Sequence, residues 1–136
     1  NVLKNRFNCL FADRGRAGIA LALEEMPDII ICDVMMPELD GYGVLLELGQ
    51  DVNLSRVPFI FLTAKASKED MRRGMSLGAD DYLTKPFSHQ ELLVRIKNLL
   101  QNYQERNVLE TEIEAKNKKI YVVDGSVLNF KTNNNS

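Results

Sequence analysis

The chain has 136 residues, 45% of them hydrophobic, with a formal net charge of −2 and a pI near 5.5. That suffices for one compact domain with a tail, and it excludes disorder throughout and binding to nucleic acid or a membrane surface by bulk charge. No apolar run approaches the roughly 20 residues needed to span a bilayer, and no signal-peptide pattern opens the chain, so a soluble, cytoplasmic protein is expected.

In chain order, strand and helix patterns alternate over the first hundred or so residues, the signature of βαβ units and a parallel sheet. Residues 8–12 read as a strand, and 16–26 as a helix turning Ala17, Ala20, Leu21 and Leu23 inward until Pro27 stops it. Residues 28–34 read as a fully buried strand, because consecutive isoleucines imply cover on both faces. A helix over 42–50 carries Val44, Leu45 and Leu48, and a second buried strand covers 57–64. Ser67 and Asp70 have capping-box spacing for a helix over 67–77, with Gly78 as its C′ residue. After a short strand over 82–85, Ser88 and Glu91 form another capping box, opening a helix that buries Leu92, Leu93, Ile96, Leu99 and Leu100. Residues 101–118, rich in Glu, Asn, Lys and Gln, read as a helical or flexible linker. Residues 119–136 open with strand-like Ile120 to Val123 and a turn at Asp124-Gly125.

Cys9 and Cys32 both fall in apolar, strand-like surroundings without CxxC spacing, and are expected to be buried free thiols. His89 stands alone, which excludes a metal site built on imidazoles; its place is the exposed first turn of a helix.

Three polar side chains end three successive strands: Asp33 after Ile29-Ile30-Ile31-Cys32, Thr63 after Phe59-Ile60-Phe61-Leu62, and Lys85 after Tyr82-Leu83-Thr84. In open α/β sheets the carboxyl edge of the strands is where ligands bind. A carboxylate, a hydroxyl and an ammonium gathered there point to phosphoryl chemistry, although each alone reads as a strand end or a packing residue. Met35 and Met36 read as packing side chains, and Asp40-Gly41 as turn chemistry.

Asp33 to Gly41, Phe61 to Lys65 and Gly78 to Phe87 together resemble the receiver domain of two-component, CheY-like response regulators, over residues 7–100. The resemblance implies a flavodoxin-like doubly wound α/β fold with sheet order 2-1-3-4-5. It implies that Asp33 accepts a phosphoryl group from a sensor histidine kinase or phosphotransfer protein, with Thr63 and Lys85 offsetting its charge. Mg²⁺ would be held by Asp33 and the Met35 backbone carbonyl. Thr63 and Tyr82 would form the switch, and Pro86 would be cis. The resemblance further implies no enzyme beyond Mg²⁺-dependent self-phosphorylation and autodephosphorylation. A homodimer is expected through the helix at 67–77, the strand at 82–85 and the helix at 88–100, where Asp80 and Asp81 oppose Arg95 and Lys97. DNA would be reached only through an output domain, in transcription regulation. A dehalogenase-type phosphatase is excluded, since it wants a second Asp where Met35 stands.

The family's first strand, with its acidic Mg²⁺-binding end, is missing from the N-terminus, which would leave a gap in the middle of the sheet. Three readings account for this. The leading expectation is a fragment cut at both ends, whose tail resembles the start of an OmpR-type winged-helix domain. In the second, 119–124 is the displaced first strand, supplied by permutation or by a swapped neighbour; Asp124 would then be a metal ligand, with Gly125 where the second acid belongs. The third is a phosphorylation-independent receiver serving as a protein-interaction module.

Overall fold

A run of isoleucines has no polar side to offer water, so its strand must lie between two covered faces. In the computed structural model, which describes residues 8–104 and 119–124, this strand is buried at every position. The elements in chain order are β1 (Asn8–Ala12), α1 (Gly15–Glu25), β2 (Ile29–Cys32), α2 (Gly41–Leu48), β3 (Phe59–Thr63), α3 (Lys68–Ser76), β4 (Asp81–Thr84), α4 (His89–Gln104) and β5 (Lys119–Val123). A short 3-10 turn at Leu54–Arg56 leads into β3.

The strands form one parallel sheet in the order β1-β5-β2-β3-β4. Counting β5 as the first strand gives 2-1-3-4-5, the flavodoxin-like α/β order expected from the motifs. The central gap is therefore filled from within the chain. Ile120 pairs with Cys9 on one side and Ile29 on the other, and Val123 pairs with Ala12 and Cys32. The likeness to a winged-helix opening is not met over Lys119–Val123, which join the receiver sheet; residues 125–136 lie outside the described residues. So does the linker beyond Gln104.

Two-residue alternation splits the core between the faces of the sheet. Ile30, Cys32, Phe59, Phe61, Tyr121 and Val123 face Ala22 of α1 and Tyr42, Val44 and Leu48 of α2. On the other face, Ile29, Ile31, Ile60, Leu83, Ile120 and Val122 face Leu92, Ile96 and Leu100 of α4. Each such aliphatic side chain contributes about 1.5–3 kcal/mol when removed from water, so β5, buried from Ile120 to Val123, is bound as a core strand.

The expected inward stripe of α1 is corrected. Ala17, Ala20 and Leu23 are exposed, and the buried positions are Gly15, Gly18 and Ala22. The reason is close approach: a Cβ on Gly18 would lie 2.6 Å from Val123 Cγ2. The capping expectations hold. Ser67 Oγ accepts from Asp70 N at 3.0 Å and donates to Asp70 Oδ2 at 2.7 Å, Ser88 Oγ accepts from Glu91 N at 3.0 Å, and Gly78 has φ 108°. Neither cysteine forms a disulfide; Cys32 is buried, whereas Cys9 is only half-buried because β1 is an edge strand. His89 is exposed in the first turn of α4. No helix among the described residues is long and apolar enough to cross a membrane.

Candidate functional site

The doubly wound order places a crevice at the carboxyl ends of the middle strands, where connections leave in opposite directions. β2 and β5 end there side by side, and Asp33 N donates to Val123 O at 2.9 Å. That bond sets Asp33 beside Asp124, whose own N donates to Ala12 O at 3.1 Å. Both aspartates are buried, at 9% and 5% exposure, and tyrosines aside the only other buried polar side chain among the described residues is Thr63.

Lys85 joins them. Its Nζ lies 3.6 Å from Asp33 Oδ2 and 3.6 Å from Asp124 Oδ2. The backbone brings it there: Lys85 N donates to Thr63 O at 2.8 Å, and the Lys85–Pro86 peptide is cis, as the motif implied. Asp33 Oδ1 accepts from Met35 N at 3.0 Å, so the Met35 backbone lies at the site while its side chain is 56% exposed. Met36, by contrast, is buried. Asp40 caps α2 by accepting from Gly43 N at 2.9 Å, the turn role expected of it.

Thr63 ends β3 fully buried, its Oγ1 accepting from Lys65 N at 3.3 Å. Tyr82 is turned inward at 5% exposure and donates to Lys65 O at 2.9 Å. Burial and the neighbouring Tyr42 hydroxyl raise the Tyr82 phenol above its usual range. Burial, followed by the charges of Asp33, Asp124 and Asp40, pushes the Cys32 thiol well up, so it stays a protonated core side chain.

Asp33, Lys85 and Asp124 are thus brought into one cluster, with Thr63 and Tyr82 on the adjoining strands. Sequence reasoning missed Tyr42, buried at 1% beneath α3. Its position directly after the Asp40-Gly41 turn, on a short apolar helix, was the available signal.

The model of the response regulator receiver domain matches residues 1–97. The chain belongs to that family. Receiver relatives include "Histidine kinase P4" of Formosa agariphila, 38% identical over 102 residues that make up 75% of this chain and 7% of that protein. A "probable transcriptional regulator ycf27" of Guillardia theta is 49% identical over 89 residues, 65% of this chain and 34% of that one. The chain therefore spans about a third or less of the length of these relatives. Among solved structures, the receiver domain of a sensor histidine kinase from Pseudomonas aeruginosa PAO1, with a magnesium ion coordinated in its active-site cleft, superposes with TM-score 0.61 at 33% identity, covering 66% of this chain and 74% of that one. As a receiver domain, the chain is a component of two-component signal transduction.

The donor set fits a hard divalent cation. Among the described residues, two buried carboxylates stand at the Lys85 ammonium, and both offer oxygen donors. Among the described residues no three acidic, His or Cys side chains converge, so protein donors beyond Asp33 and Asp124 would be backbone carbonyls such as that of Met35.

Proposed function

We propose that this receiver accepts a phosphoryl group on Asp33 from the phosphohistidine of a sensor kinase or phosphotransfer protein and passes the signal to an attached output module. An Asp33 carboxylate oxygen forms the new O–P bond as the P–N bond breaks, and the departing imidazole keeps the electron pair. Such transfers are accelerated by positioning and by offsetting charge on the equatorial oxygens. Lys85 supplies a fixed cation, Thr63 a hydroxyl donor on the adjoining strand, and Met35 N holds Asp33 Oδ1 in place. Mg²⁺ bound by Asp33, Asp124 and the Met35 carbonyl would supply the remaining positive charge.

The observation that carries this reading is the Lys85 ammonium set equally between Asp33 and Asp124. Purified chain treated with acetyl phosphate and Mg²⁺ should gain one phosphoryl mass, lost in Asp33→Ala and without Mg²⁺. No adduct on a folded chain would overturn the reading.

That failure would favour the second reading, a phosphorylation-independent interaction module. Gly125, where the family carries a second acid beside Asp124, is the observation in its favour. For the two-fold dimer on α3, β4 and α4, three of the four charges expected to cross between copies, Asp80, Asp81 and Arg95, are engaged within the chain. Arg95 Nη1 bonds Asp81 Oδ1 at 2.5 Å, and Asp80 Oδ2 accepts from Phe59 N at 2.8 Å. Sedimentation before and after phosphorylation tests for that dimer.

A further inference from the structure

Beneath α3 two tyrosines stand hydroxyl to hydroxyl. Tyr42 Oη donates to Asp70 O in the first turn of α3 at 3.0 Å, Tyr82 Oη donates to Lys65 O at 2.9 Å, and the two oxygens are 3.4 Å apart. The Arg73 guanidinium lies over the Tyr42 ring, 4.5 Å from its centroid, and Phe61 touches both rings edge-on or tilted. Helix α3 comes this close because of Gly74, where a Cβ would meet Tyr82 Cδ2 at 2.8 Å. Tyr42 also follows Gly41, whose missing Cβ leaves room for the backbone of Asp33 and Val34 and whose N donates to Val34 O at 3.0 Å.

Two hydroxyls carry two protons, and three contacts compete for them. In the structure both protons go to carbonyls, and the 3.4 Å contact is too long for a strong hydroxyl bond. If either hydroxyl turns to the other, one carbonyl, Asp70 O or Lys65 O, loses its donor. The group therefore has three discrete arrangements, the observed one and one for each hydroxyl turned to the other, the kind of element through which two sites can be coupled.

We propose that Tyr42 is a positioning residue that, beside the inward-turned Tyr82, latches α3 to the phosphoacceptor loop through its bond to Asp70 O, giving Asp33 a route to α3 through Gly41 and Tyr42 besides the one through Thr63. The signalling half of this inference rests on phosphorylation of Asp33; the latch itself does not.

The test is hydrogen exchange on the whole chain, comparing wild type, Tyr42→Phe, Tyr82→Phe and the double variant. Phe keeps the ring packing, and circular dichroism melting confirms the fold. Tyr42→Phe should speed exchange of the Lys68–Ser76 amides about fivefold, the factor that one lost net hydrogen bond implies. The double variant should exchange no faster than the faster single one. Unchanged exchange in Tyr42→Phe, or single effects that simply multiply, would overturn the latch. In a second arm with acetyl phosphate and Mg²⁺, the phosphorylation-dependent change in α3 exchange should vanish in Tyr42→Phe while the adduct forms in the same yield. A change that persists would overturn the coupling. If wild type forms no adduct, phosphoacceptance fails and the coupling with it, while the first arm still decides the latch.

Discussion

Asp28 and Lys119 bond each other twice across 91 positions of sequence. Asp28 N donates to Lys119 O at 2.9 Å, and Lys119 N donates to Asp28 Oδ2 at 2.6 Å. The first fixes β5 against the start of β2, and the second gives its leading amide a charged acceptor. Hydrogen bonds to charged groups contribute about 1.5–3 kcal/mol. Asp28→Ala should therefore lower stability by about that amount in urea titrations. Its effect should be concentrated in faster exchange at Lys119–Val123, and a uniform change across all strands would refute the anchoring role.

The small residues of α1 lead to a second prediction. Gly18→Ala adds a methyl 2.6 Å from Val123 Cγ2. The gain of about 1 kcal/mol in helix propensity is opposed by overpacking of about 1–3 kcal/mol, so the melting temperature should fall. Val123→Ala in the same chain removes the obstructing branches, so the two changes should be non-additive, with Gly18→Ala turning neutral or stabilising on that background. Additive losses would mean that Gly18 is not what lets α1 close on β5.

How legible this was in the sequence depended on which physical signal a residue carries. Asp33, Thr63 and Lys85 stood at the ends of continuous apolar runs, and burial fixes such ends, so the structure gathers them as their positions implied. Ser67, Gly78 and Ser88 were legible because capping is local chemistry within a few residues. The inward face of α1 was not, since Gly15 and Gly18 carry no hydrophobic signal and are buried by close approach alone. The apolar run and closing acid of Lys119 to Asp124 could be read, but its slot between β1 and β2 depends on pairing with residues about a hundred positions away, which no local pattern encodes. Tyr42 was passed over because its partner, Asp70 O, comes within reach only where Gly74 lets α3 descend.

Tyr121 offers a third test. Its hydroxyl is buried with no hydrogen-bond partner among the described residues, in the middle of the interior strand β5. A buried polar group left unpaired costs about 1–3 kcal/mol, so Tyr121→Phe should leave stability unchanged or raise it by about 1 kcal/mol. A clear loss in chemical denaturation would show that the hydroxyl has a partner.

Metal linkage follows from the shared ammonium. If Asp33 and Asp124 hold Mg²⁺ in the folded chain only, stability rises by about 1.4 kcal/mol at ten times the dissociation constant, by mass action. Thermal melts should move upward with Mg²⁺ in wild type and lose most of that shift in Asp124→Asn, where one of the two carboxylates becomes neutral. An equal shift in both proteins would place any Mg²⁺ effect elsewhere.

Tyr82 sets a limit at high pH. Its folded phenol is raised above the ordinary 10.0 by burial first and by the Tyr42 hydroxyl second. A group raised in the folded state contributes stability that is fully present below its unfolded value and is lost as pH rises through the folded one. Stability should therefore not vary with pH through Tyr82 near neutrality and should begin to fall from about pH 10, where the unfolded tyrosine ionises while the folded one stays protonated. Tyr82→Phe should flatten that alkaline limb while lowering stability at pH 7, since the bond to Lys65 O is gone. Denaturation midpoints taken from pH 7 to 11 decide this, and an alkaline limb as steep in the variant as in wild type would assign it to another group.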